Sequence, residues 1–132
     1  MSHGLILFAH GSRDARWAAP FEAVAQRIRQ ARPQLQLQLA YLELMSPSLA
    51  EAAAALSAAG CRRVDVLPMF LGTGGHLRRD LPPMIEQLRV QHPAVAWRLH
   101  AAVGEQPAVR EAMAATALAL QDEHDAPQGD AV

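Results

Sequence analysis

The strongest constraint in this 132-residue chain is an alternation in which a short apolar or period-two run is followed by a helical stripe, four times over. Leu5 to Ala9 is a continuous apolar run that stops at His10-Gly11-Ser12, the pattern of a strand buried on both faces. Trp17, Phe21, Val24 and Ile28 then form one stripe of an amphipathic helix, which Pro33 ends. Leu35, Leu37 and Leu39 alternate with Gln34, Gln36 and Gln38, and the run continues through Tyr41 and Leu42 to Glu43. A second strand is expected there, at a sheet edge, because its start is solvated on one side.

Ser46-Pro47-Ser48 opens a second helix, with Pro47 in its first turn and Ser48 and Glu51 at capping-box spacing. Gly60 is its natural stop. Arg63 to Phe70 reads as a third strand leading into the glycine-rich stretch Leu71 to His76. A third helix is expected from Asp80, with Pro82 and Pro83 in its first turn and Met84, Ile85 and Leu88 inward, ending at His92-Pro93. Val95 to Ala101 is a fourth strand. Pro107 to Gln121 is a last helix with Val109, Met113, Ala117 and Leu120 on one side. Residues 1–121 are read as one domain and 122–132 as a flexible tail.

Four strand–helix units predict an α/β fold with a four-stranded parallel sheet and helices on both faces. The economical strand order is 2-1-3-4. Ligands of such sheets bind beyond the carboxyl ends of the strands, where the order reverses between strands 1 and 3. The polar residues at that place are His10-Gly11-Ser12-Arg13, Glu43 and Gly72-Thr73-Gly74-Gly75-His76.

Composition removes several kinds of chemistry. All twelve basic residues are arginine, so a P-loop ATPase and a Schiff-base or pyridoxal enzyme are excluded. A formal net charge of −1 leaves no electrostatic footprint for nucleic acid or an anionic membrane surface. Cys61 is the one cysteine and has no partner for a disulfide or a metal finger. The run Leu5 to Ala9 is too short for a signal segment, and no window approaches a membrane span, so a cytoplasmic protein is expected.

His10 alone could be a turn histidine, and His76 a surface one. Their joint placement at the predicted switch point with Glu43 is what suggests function. Two imidazoles and a carboxylate suit a first-row divalent metal such as cobalt, nickel, iron or zinc. The glycine stretch could cradle a phosphate, but it lacks GxGxxG spacing and a following lysine. A GxSxG nucleophile elbow is also missing. His3, His92, His100 and His124 read as structural or solvated. Arg13, Arg78 and Arg79 flank the two histidines and could bind carboxylates of an anionic ligand.

LILFAHGSRD, YLELMSPSLAEA and VDVLPMFLGTGGHLRRDLP closely resemble the short-form sirohydrochlorin cobaltochelatases, the small CbiX type, and their SirB relatives. The most specific part is Pro68-x-Phe70-Leu71-x-x-Gly74-x-His76-x-x-x-Asp80-x-Pro82 paired with His10-Gly11-Ser12. The resemblance spans the chain to about Gln121. It implies a class II chelatase, which inserts a divalent metal into sirohydrochlorin without ATP or any cofactor beyond the metal substrate. In that reading His10 and His76 hold the metal and assist pyrrole deprotonation, and Glu43 joins them.

Ser12, Arg13, Gly74, Gly75, Arg78 and Arg79 are read as substrate contacts, the arginines gripping carboxylates. Cobalt is the favoured metal. Iron for siroheme and nickel are the same reaction with another ion, and a non-catalytic metal or tetrapyrrole carrier is the reading from a different class. Size points to a homodimer. A four-stranded sheet about 19 Å wide can hold a tetrapyrrole on one side but cannot enclose it.

Overall fold

The computed structural model describes residues 2–123. Its strands are β1 (Ser2–Ala9), β2 (Gln36–Tyr41), β3 (Cys61–Pro68) and β4 (Ala96–Leu99). The helices are α1 (Ala19–Ala31), α2 (Leu49–Ala58), α3 (Gly75–Gln91) and α4 (Pro107–Asp122). Short 3-10 turns at Ala15–Ala18 and Val103–Glu105 precede α1 and α4. All pairings are parallel and the order is β2-β1-β3-β4, as the alternation predicts. Ala9 pairs with Tyr41 and Phe8 with Pro68, so the carboxyl ends of β2, β1 and β3 lie level.

β1 is the centre of this arrangement because its alternate side chains feed two cores. Ile6 and Phe8 face α2 and α3, where Leu56, Val64, Ile85 and Trp97 are buried with them. Leu7 faces α1 with Ala25 and Leu37, and Leu5, Ile28 and Leu39 border that cluster. Helices therefore cover both faces, though unevenly. α4 buries no side chain and rests mainly on the 3-10 turn before it. Among the described residues no helix is long and apolar enough to cross a membrane.

Several boundaries differ from the sequence expectation, each for a local reason. Val24 is 40% exposed, and small Ala25 takes the inward position under Leu7 instead. Pro47 precedes α2 rather than lying in its first turn, because Ser48 is the cap residue. The Ser48 hydroxyl accepts from the Glu51 amide at 3.1 Å, and the Glu51 carboxylate accepts from the Ser48 amide at 2.9 Å. These bonds hold the Glu51 carboxyl below its ordinary value. Gly60 ends α2 with a φ of 86°.

β3 starts at Cys61, whose thiol is pushed up by burial and serves as packing. β2 and β4 are shorter than expected, and Glu43 lies two residues past β2. α3 begins at Gly75, so Pro82 and Pro83 are interior. Their ring nitrogens leave the Arg78 and Arg79 carbonyls without helical amide partners. The stripe Leu77, Leu81, Ile85 and Leu88 packs on the core across them and holds the helix together. α4 runs one residue into the expected tail, and residues 124–132 lie outside the described residues.

Pairing of β1 and β2 continues past both strand ends. The Leu42 amide donates to the Ala9 carbonyl at 2.9 Å, and the Glu43 amide to the His10 carbonyl at 3.1 Å. Gly11 lets this happen: its φ is 99°, and a Cβ there would stand 1.8 Å from the Glu43 carbonyl oxygen. Gly11→Ala is expected to cost about 2–4 kcal/mol, since it combines strain with a backbone overlap. Gly60→Ala, also at positive φ but with open space around it, should cost only about 1 kcal/mol. Urea denaturation of both variants measures this, and equal losses would refute the overlap.

Candidate metal and substrate site

His10 is the first residue after β1, and Glu43 follows the neighbouring strand. The lock just described brings them together: His10 Nδ1 stands 3.8 Å from Glu43 Oε1, with both side chains about half exposed. That is an ion-pair distance rather than a hydrogen bond. The Gly11 carbonyl is 3.5 Å from the same nitrogen. Nδ1 thus turns toward acceptors, which favours its carrying the proton and leaves Nε2 as the nitrogen able to take a metal or a proton. Phe70 meets the His10 ring edge-on at 6.4 Å and Phe8 at 6.2 Å, tying the imidazole to the core.

His76 is the second residue of α3 and is exposed. The structure brings His10 and Glu43 together and leaves His76 apart from them. Among the described residues no group of three or more histidine, cysteine, aspartate and glutamate side chains is gathered to hold a metal. Gly74 caps α3 and Gly75 is its first residue, with open space at both Cβ positions apart from the Arg79 guanidinium 3.8 Å from Gly75.

The remaining expected contacts divide by what already occupies them. The Ser12 hydroxyl accepts from the Asp14 amide at 3.1 Å, so it shapes the turn after His10. Asp14 in turn holds Arg16, whose guanidinium and amide keep the Asp14 carboxyl below its ordinary value. Arg13 enters no ion pair among the described residues. Arg79 donates to the Gly75 carbonyl at 3.2 Å and keeps the rest of its fork for other acceptors. Arg78 is more committed: it donates to Thr73 Oγ1 at 3.3 Å and lies 3.7 Å from Glu105.

Sequence reading missed Glu105 and Gly104, and placed Thr73 only within the glycine stretch at the strand ends. Glu105 accepts from Thr73 at 3.5 Å, and the Gly104 amide donates to the Phe70 carbonyl at 2.9 Å. A Cβ on Gly104 would stand 1.8 Å from the Leu71 carbonyl oxygen. The turn before α4 therefore clamps the loop after β3, a contact between distant segments with no spacing signature. His100 is held on the second face of the sheet, its Nε2 2.7 Å from Asp65 Oδ1, so its structural reading stands. A concavity of about 470 Å³ between the start of β1 and the α1–β2 turn contains none of the candidate residues.

Comparison with known proteins places this geometry in context. The CbiX family model matches residues 4–119. The crystal structure of a CbiX protein from Marinobacter aquaeolei VT8 superposes with a TM-score of 0.77 at 35% identity, covering 94% of this chain and 99% of that one. A sirohydrochlorin cobaltochelatase of Sulfurisphaera tokodaii is 28% identical over 88 residues, 66% of this chain and 71% of the relative. SirB, the sirohydrochlorin chelatase of Bacillus subtilis subspecies spizizenii, solved with cobalt, shares the fold with a TM-score of 0.76 at 20% identity. That likeness covers 92% of this chain and 51% of SirB. With the matched span covering nearly every element of the sheet and its helices, this chain belongs to the CbiX family.

Proposed function

We propose that this chain inserts a divalent metal, Co2+ foremost, into sirohydrochlorin without ATP. The observation that carries the reading is the His10–Glu43 pair, 3.8 Å apart at the level ends of β1 and β2, with His76 separate from it in the first turn of α3, the helix that follows β3. Insertion must strip water from the cation, remove two pyrrole protons and hold a flat ring near the metal. A neutral imidazole can bind the ion and then accept a proton. The Glu43 carboxylate beside it favours a bound cation. Arg13 and Arg79 supply forks for substrate carboxylates.

Imidazole and carboxylate donors accept cobalt, nickel and iron alike. Cobalt is favoured because curated relatives are named cobaltochelatases. Iron is the second reading, because SirB from Bacillus subtilis is also known with Fe3+. The test follows sirohydrochlorin absorbance with Co2+, Ni2+ and Fe2+ for the wild type, His10→Ala and His76→Ala. Each variant should lose at least about a hundredfold in rate, in line with removal of a general base or metal ligand. A wild type no faster than the spontaneous background refutes the reading, and binding without acceleration identifies a carrier. Normal insertion by the double variant refutes the site.

Pairing with a second copy belongs to the same proposal. α4 carries an uncovered strip of Val109, Ala112, Met113, Thr116, Ala117 and Leu120 along a groove of about 380 Å³. A helix of 16 residues without buried side chains is marginal alone in water. The second face of the sheet beyond α1 is open too, with Leu5, Asp65, Leu67 and His100 lining about 390 Å³, and Val109 borders both surfaces. Two apolar surfaces in one chain, each uncovered, suit a symmetric partner. Light scattering at micromolar concentration should give the mass of two chains, and Ala117→Asp should give one. A monomeric wild type refutes the pairing.

A further inference from the structure

Two leucines next to site residues in the chain, Leu44 and Leu71, are largely exposed. Leu44 has a φ of 66°, a left-handed conformation that a bulky side chain adopts only at a cost, and it is 57% exposed. Packing therefore does not compensate the strain. Leu71 is 72% exposed. Each adjoins a residue that touches His10: Leu44 follows Glu43, and Leu71 follows Phe70. Because the strand order is β2-β1-β3, His10 stands between the loops that carry them.

Both leucines sit on constrained backbone. Around Leu44, the Glu43 amide bonds the His10 carbonyl, and the Met45 amide bonds the Glu43 carbonyl at 2.8 Å. Around Leu71, Gly104 closes on the carbonyl and the Phe70 carbonyl accepts the Gly104 amide. Aliphatic groups held in water by fixed backbone, one of them at positive φ, form a preorganised apolar surface. Arginines follow both histidines in the chain, Arg13 after His10 and Arg79 after His76 on α3, where Arg79 donates to the Gly75 carbonyl. The combination matches a planar, apolar-faced ligand with carboxylates on its rim.

We infer that Leu44 and Leu71 are the rests on which the flat face of the tetrapyrrole lies, one on each side of His10, setting the ring centre over the imidazole. This rests on the chelatase reading and assigns it two specificity residues. The rests act on ring affinity, so the test is made without metal. Metal-free sirohydrochlorin is titrated into the protein and binding is read from quenching of its fluorescence. Leu44→Asn suits the left-handed backbone and removes the apolar surface, and Leu71→Ser alters an exposed position. Each should weaken binding about tenfold, as expected for uncovering most of a leucine face, while the urea midpoint stays at or above the wild-type value. Wild-type affinity in both variants overturns the inference and leaves the chelatase reading intact. No binding by the wild type itself overturns both.

Discussion

The site depends on β1 being apolar on both faces. A strand so composed can only be central, and its two parallel neighbours then end level with it. That places His10 between the residues that follow β2 and those that follow β3. Gly11 fixes the register beyond the strands, because no other side chain lets the Glu43 backbone approach so closely. The half-exposed His10–Glu43 pair is thus a consequence of core packing: its geometry is held by buried neighbours while its chemistry faces solvent.

Charge is distributed in the same economical way. With arginine as the only strong base, some guanidiniums must be structural. Arg78 braces Thr73 and Glu105, Arg89 reaches the Trp97 carbonyl at 2.9 Å, and Arg29 reaches the Leu37 carbonyl at 3.3 Å. Arg13 is left without an ion pair among the described residues, and Arg79 is held by a single backbone carbonyl. In the proposed function, these two would supply more of the cationic grip on a polycarboxylate than Arg78.

Much of the fold was legible because it rests on periodicity. The run Leu5 to Ala9 announced the central strand, the leucine–glutamine alternation announced the edge strand, and Ser48 with Glu51 announced the cap of α2. Prolines misled at two places, for opposite reasons. Pro47 lies outside its helix because Ser48 needs the capping position, and Pro82 with Pro83 lie inside theirs because the leucine stripe of α3 outweighs two missing donors. At the site, His10 and Glu43 could be placed together from strand order alone. The clamp of Gly104 and Glu105 on the loop after β3 could not, since it joins segments some thirty residues apart through backbone contact. Nor could the left-handed Leu44, for which sequence offers no glycine or asparagine signal.

In the proposed function, imidazole from His10, joined by His76, holds the metal before insertion. X-ray absorption of the cobalt-loaded protein without tetrapyrrole tests it most directly. The wild type should show the outer-shell scattering of coordinated imidazole, reduced in His10→Ala and in His76→Ala and abolished when both are replaced. An unchanged imidazole signal in the double variant would contradict the claim and move the metal to another part of the molecule.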